Sequence, residues 1–279
     1  LTALLGVTGM RVVNVEAGFP NSTNYANVTY SFGETEDYLV NITAEPACVS
    51  PQSLTLANIA PTSVTLNWTA SISNPTGGYE YEIRTSGAAG SGTTGLAASG
   101  TVGAGVLTAS VSGLTGNTIY NVFVRSNCDG NGFSTWFGPV TFTTPCLPAT
   151  IPYSESFETA VIPNMPACVT SSHPLTRSTL ATGAAPRTGT VFQNIRWTPT
   201  VTKYVYSAPL ALTGGTSYDM GAWYLTDGLG GWSFIRLYVN TVPSPTGATL
   251  LTTVPNATNT TYQRIQGSFA PPSTGTYHF

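Results

Sequence analysis

Long apolar runs are missing from this sequence. No stretch approaches the roughly 18 residues that a helix needs to cross a bilayer. The opening LTALLGVTGM, Leu1 to Met10, is too short for one and has neither a basic flank nor a small-residue cleavage pattern. An initiator Met is absent too, so we expect a piece of a longer chain. Charge is scarce: Asp and Glu number 12 and Lys and Arg 9 among 279 residues. That is 8%, where an ordinary soluble protein carries roughly 25%. Lys203 is the single lysine. With a net charge of −3 there is no basic stripe, which excludes a reader of nucleic-acid backbone.

Catalytic signatures are missing as well. No GxSxG elbow occurs, and the only imidazoles, His173 and His278, have no acidic neighbour in sequence to orient them. The stretch GSGTTG, Gly90 to Gly95, fits GxGxxG in letters. It is followed by no helical pattern and by no acid about 20 positions on, so it reads as a flexible loop and not as a dinucleotide site. The four cysteines, Cys48, Cys128, Cys146 and Cys168, form no CxxC pair, so disulfides are expected in place of zinc, with three connectivities open. Six N-x-S/T sequons begin at Asn21, Asn27, Asn41, Asn67, Asn256 and Asn259; in a chain so rich in Asn and Thr they carry little weight.

What remains is a β pattern from end to end. Helical periodicity is absent, and short alternating runs bounded by Gly, Pro, Asn and Ser recur throughout. In YEYEIRT the alternation places Tyr79, Tyr81 and Ile83 on one face and Glu80, Glu82 and Arg84 on the hydrated one. Tyr120, Val122 and Val124 alternate inward in TIYNVFVRS, as do Ile235, Leu237 and Val239 in SFIRLYVN. The fold class is all-β, built from antiparallel sandwiches. Two Pro-punctuated stretches, AEPACVSPQ and TTPCLPATIP, read as linkers because proline cannot donate to a sheet ladder. They divide the chain into 1–45, 46–146 and 147–279.

The middle part is the most legible. Six of its segments read as strands: SLTLANI, SVTLNWTA, GYEYEIRT, VLTASVSGL, TIYNVFVRS and TWFGPVTFTT. Trp68 is the large core residue of the second. SGLTGNTIY has the form of a tyrosine corner, with Leu114 buried and Tyr120 returning its hydroxyl to the backbone. On these residues the stretch resembles a fibronectin type III domain. In that fold the start of the first strand and the loop after the sixth lie at one end. The resemblance therefore implies a Cys48–Cys128 bridge and leaves Cys146 to pair with Cys168.

The flanking parts carry weaker resemblances. GMRVVNVEA followed by YSFGETEDYLVNIT resembles the C-terminal half of a GEVED module, with Thr35 where that family has valine. LPATIPYSESFETAVIPNMPACVT resembles the opening of cleaved-adhesin and MAM-like jelly rolls, in which a strand precedes a Pro-x-Cys turn, here Pro166 to Cys168. SAPLALTGGTSYDMGAWY and the final PPSTGTYHF resemble later strands of the same domains. Together these resemblances imply a secreted, modular surface protein of Bacteroidota-type bacteria, exported by the type IX route and displayed on the cell surface. The expected function is a non-enzymatic adhesin or stalk segment. Its partners would be a cell-surface glycan or protein, or neighbouring copies. An accessory region of a secreted peptidase or glycoside hydrolase, or a filament or surface-layer subunit, is the alternative.

Three groups of residues are candidate sites. Glu34, Glu36 and Asp37 form either a calcium site or a turn that offers carboxylates to water before a strand opening at Tyr38. In an extended chain the two glutamates would point one way and Asp37 the other. Glu155 and Glu158, expected on opposite sides of a strand, are a second calcium candidate, with Asp219 or Asp227 supplying a further carboxylate. Calcium is thus the one cofactor expected. GAWYLTDGLGGWSFIRLY concentrates aromatics around a Gly-rich turn, and Trp223 and Trp232 are the candidates for an exposed stacking platform, core packing being the competing role.

Overall fold

The computed structural model describes residues 4–15, 33–43, 48–179, 185–196, 201–229 and 232–279. The polar loop after Ala17, the sequons at Asn21 and Asn27, and the first residues of the first Pro-punctuated linker lie outside them. Every regular element among the described residues is a strand, apart from one short 3-10 turn at Asp129–Asn131. Among the described residues no helix is long and apolar enough to cross a membrane.

Strands β1 (Gly6–Val15) and β2 (Gly33–Ile42) pair antiparallel as a two-stranded sheet. The acidic tract is therefore strand and not turn, because the ladder already runs from Gly33. Its register seats Asp37 opposite Arg11 on one face, with Glu34 and Glu36 on the other.

The middle part is a seven-stranded sandwich. One sheet has the order β3 (Leu54–Ala60), β4 (Ser63–Trp68), β7 (Thr108–Ser112). The other runs β6 (Leu96–Val102), β5 (Tyr79–Arg84), β8 (Ile119–Ser126), β9 (Phe137–Thr143). Strand β6 was not apparent in the sequence. Its alternation is carried by small residues, LAASGTV, and buries none of them fully. Between the sheets, Leu66, Ile83, Val122 and Val124 are wholly buried around Trp68, Tyr79 and Tyr120. The Trp68 and Tyr79 rings meet at 5.7 Å with their planes tilted by 59°, a contact worth about 1 kcal/mol beyond the area it buries.

Hydroxyl groups close the ends of this sandwich. Tyr120 Oη accepts the Thr115 N–H at 2.9 Å while Leu114 is buried beneath it, as the Leu-to-Tyr spacing predicts. At the opposite end the Val49 carbonyl accepts the hydroxyls of Ser71 at 2.5 Å and Ser126 at 2.7 Å. Cys48 is bonded to Cys128 beside it, and Cys146 to Cys168.

The third part is antiparallel as well. Two-residue strands β10 (Thr170–Ser171), β11 (Thr176–Arg177), β12 (Phe192–Gln193) and β13 (Val205–Tyr206) pair β10 with β13 and β11 with β12. Longer strands come after them: β14 (Leu210–Leu212), β15 (Tyr218–Tyr224), β16 (Phe234–Val239), β17 (Thr249–Pro255), β18 (Gln263–Phe269) and β19 (Gly275–Tyr277). They pair β14 with β19, β15 with β18 and β16 with β17 around a core of Leu210, Leu212, Met220, Leu237, Val239, Ile265 and Tyr277. The corner geometry recurs here: Tyr218 Oη accepts the Thr213 N–H at 2.9 Å above a buried Leu212. That donated hydrogen bond lowers the Tyr218 phenol below its ordinary value. The strand expected over PYSESFE does not form. Pro152 withholds a ladder donor at its start, Glu155 turns back to accept the Phe157 N–H at 2.6 Å, and the chain runs on through turns, past Pro163 and Pro166, to Thr170.

The Cys48–Cys128 bond spans 80 residues, a closure worth about 4.5 kcal/mol in the chain-entropy picture. Cys146–Cys168 spans 22, worth about 3.4 kcal/mol by the same relation. Urea unfolding followed by far-UV circular dichroism is expected to show a clearly lower midpoint for Cys48→Ala/Cys128→Ala than for Cys146→Ala/Cys168→Ala.

Candidate functional site

Two clusters of arginine and aromatic side chains stand out, one on each sandwich-like part. The first covers the outer face of the β6-β5-β8-β9 sheet. Strand alternation turns Ile83 into the core and Arg84 outward, yet Arg84 is completely buried. The chain after it, residues 85–95, folds back over the sheet and wraps the guanidinium. Nη1 donates to Glu82 Oε2 at 2.6 Å, and Nη2 to the carbonyls of Gly92 at 2.8 Å and Thr94 at 2.9 Å and to Ser91 Oγ at 3.0 Å. Glu82 Oε2 also accepts the Gly90 N–H at 3.0 Å. Gly95, at φ 74°, has no room for a Cβ because Ser86 lies against it. GSGTTG is therefore the cradle of a buried cation. This corrects both the expectation of a flexible loop and that of a hydrated Arg84.

Farther along the same face, Arg125 pairs with Glu80 at 2.7 Å. Its guanidinium lies 4.0 Å from the ring centre of Phe133 and 4.5 Å from that of Trp136. Phe133 remains exposed at 49%. Both aromatics come from the segment after Cys128, which the Cys48–Cys128 bond anchors.

The second cluster lies on the outer face of the β15–β18 pair. Met220 and Ile265 point into the core, so Gly221 and Trp223 on β15, with Arg264 and Gln266 on β18, share the opposite face. Trp223 is 48% exposed and carries the Arg187 guanidinium 3.9 Å from its ring centre. Directly across the ladder from it stands Arg264, whose guanidinium lies over Gly221, where a Cβ would approach Nε to 2.8 Å. The segment bearing Arg187 is tied at both ends. Tyr262 Oη donates to the Ala185 carbonyl at 2.9 Å. Glu158 accepts the Thr190 and Val191 N–H groups at 2.9 and 2.8 Å and the Thr190 hydroxyl at 2.8 Å. Those three donors hold the Glu158 carboxyl below the usual glutamate range, the Thr190 hydroxyl contributing most.

The acids expected to hold calcium are distributed differently. Asp37 makes a two-pronged pair with Arg11, at 2.6 and 2.7 Å, which lowers its pKa. Glu36 is hydrogen-bonded by the Tyr38 hydroxyl. Glu155 turns back on its own chain to accept the Phe157 N–H at 2.6 Å, so the expected strand with Glu155 and Glu158 on opposite sides is replaced by a local turn. Asp219 accepts the Ser268 hydroxyl at 2.7 Å, and Asp227 the Leu229 N–H at 3.2 Å. Among the described residues no group of three or more His, Cys, Asp or Glu side chains is gathered where it could hold a metal ion. His173 buries Nε2 without a partner, and His278 Nδ1 lies 3.1 Å from the Ser207 carbonyl. Of the two tryptophans chosen from sequence, Trp223 is exposed and Trp232 half-buried. Arg84, Arg125, Arg187 and Arg264 were missed as site residues. Their rarity was the one signal that could have found them.

Residues 49–143 match the fibronectin type III domain family. Among solved structures, the fibronectin type III domain of human collagen alpha-1(XX) chain is 23% identical, covering 40% of this chain and 98% of that one at a TM-score of 0.32. The FN5 domain of Drosophila Lar is 20% identical over 35% of this chain and 97% of that one, at 0.27. The FN1–FN3 domains of chicken CNTN1 are 12% identical over 40% of this chain and 38% of that one, at 0.30. No curated protein matches the chain.

Removing Arg84 leaves Glu82 and the carbonyls of Gly92 and Thr94 facing an empty cradle. Arg84→Met is expected to cost about 3–5 kcal/mol, read as a lower urea midpoint, and to open 86–94 to proteinase K. Glu158 sets a pH response. Because its folded pKa is depressed, the tether is present above the unfolded value and is lost as pH falls through the folded one. Amide exchange at Thr190 and Val191, corrected for intrinsic rate, is expected to quicken below the usual glutamate range, and Glu158→Gln to quicken it already at neutral pH.

Proposed function

We propose, from the premise that residues 49–143 form a fibronectin type III domain, that the chain is a non-enzymatic stalk-and-contact segment of a secreted bacterial surface protein. Domains of this type are commonly structural or adhesive modules. The two disulfides, together with this fold, point to an extracellular or secreted setting, since such bonds persist in oxidising compartments. In this reading 1–45 is a GEVED-like unit, 46–146 the fibronectin type III module and 147–279 an adhesin-type jelly roll, exported by the type IX route.

The observation that carries the reading is the placing of the two bonds. Cys48–Cys128 staples the entry of the sandwich to its sixth-strand loop, and Cys146–Cys168 ties the chain leaving its last strand to the opening segment of the third part. Covalent ties at both ends of a module suit a spacer that must hold its shape under load. Exposed aromatics such as Phe133 and Trp223 then serve as contacts with a glycan or protein.

Beads coated with the oxidised chain are expected to adhere to mucin- or matrix-coated surfaces under flow, and to lose retention when dithiothreitol reduces both bonds. Turnover of peptide or glycoside substrates by the purified chain, with no bead retained on any surface, would overturn the proposal.

A further inference from the structure

We propose that the outer face of β15–β18 is a binding site for an anionic saccharide, a pyranose ring bearing a carboxylate or a sulfate, with Trp223 as the stacking surface and Arg187 and Arg264 as the anion contacts. This rests on the contact role given above and names the ligand class of that contact.

Charge is scarce in this chain. Ion pairs among the described residues engage Arg11, Arg84 and Arg125 with Asp37, Glu82 and Glu80. Arg187 and Arg264 belong to none of them, yet both flank one exposed indole. The Arg187 guanidinium lies over the Trp223 ring and that of Arg264 over Gly221, two positions away on the same face, so both present positive charge on one face of the pair. Arg187 is held there by the Tyr262 and Glu158 tethers, and Arg264 is given its berth by Gly221, so less freedom is lost at either when a ligand arrives.

The shape of the face favours a sugar over an acidic peptide. The strip beyond the arginines offers Gln266, and then Asp219 with Ser268, groups suited to ring hydroxyls. Asp219 lies four residues from Trp223, about 13 Å along the strand, and two from Gly221. A run of acidic side chains along the face would meet it, whereas a neutral neighbouring ring can donate a hydroxyl to it. With Arg187 over the ring, the part of the Trp223 indole that stays exposed offers apolar surface to the C–H face of a pyranose, while guanidinium forks match a carboxylate or sulfate.

The test is titration calorimetry of the whole oxidised chain with four probes: trigalacturonate, a galactose-6-sulfate disaccharide, neutral galactotriose and triglutamate. Binding of one or both anionic sugars is expected, weakening as NaCl rises, with at least about a tenfold loss in Arg187→Gln, Arg264→Gln and Trp223→Ala. All three side chains lie on the outer face, and unchanged thermal unfolding of the variants will confirm that they fold. Which anionic sugar binds identifies the substituent. Equal binding of galactotriose with no effect of either arginine variant overturns the anionic assignment while leaving an adhesive role intact. Equal binding of triglutamate overturns the saccharide. No binding of any probe overturns the site, and the bead assay then judges the adhesive role separately.

Discussion

Scarcity of charge is the constraint to which the structure answers. A β protein must satisfy every backbone donor and acceptor that leaves its ladders, and here hydroxyls serve that need at several corners and ends. Tyr120 and Tyr218 each take a threonine N–H at a corner, Ser71 and Ser126 converge on Val49, and Thr144 donates to the Thr115 carbonyl. Hydroxyls donate and accept at once and cost little to bury when bonded. They can therefore tie loops in a chain that has few carboxylates or ammonium groups.

Against that background several of the ionised side chains have a visible task. Arg84 and Glu82 are enclosed together and turn a Gly-rich loop into a cover for the outer sheet face. Arg125 bridges Glu80 to Phe133 and Trp136, so that an electrostatic contact and a stacking contact brace the same segment. Glu158 gathers backbone N–H groups at the segment that presents Arg187. The two guanidinium groups beside Trp223 depart from this pattern, which is why they draw attention as a contact surface.

The disulfides and the corners act at different ranges. A corner organises six or seven consecutive residues and can form as soon as its strand does. The Cys48–Cys128 bond closes 80 residues and acts chiefly by narrowing the unfolded ensemble. Both corners share the spacing from a buried leucine through a threonine and glycine to a tyrosine, Leu114 to Tyr120 and Leu212 to Tyr218. The same local solution thus serves two differently built β regions.

Local features could be read from the order of residues alone. Alternation at Tyr79–Ile83 and Tyr120–Val124, the Leu114–Tyr120 corner and the Trp68 core position were all legible, because strand side chains have a period of two and a corner is closed within a few residues. Strand β6 was not legible, since its alternation is carried by small residues and buries none of them fully. Nor was the loss of the strand over PYSESFE, where Glu155 bonds to its own chain at Phe157. The destinations of the rare charges emerge only in three dimensions. The burial of Arg84 depends on a loop folding back over a sheet, and the meeting of Arg187, Trp223 and Arg264 on three separate segments. No short-range pattern encodes such encounters, because they are set by the packing of segments distant in the chain.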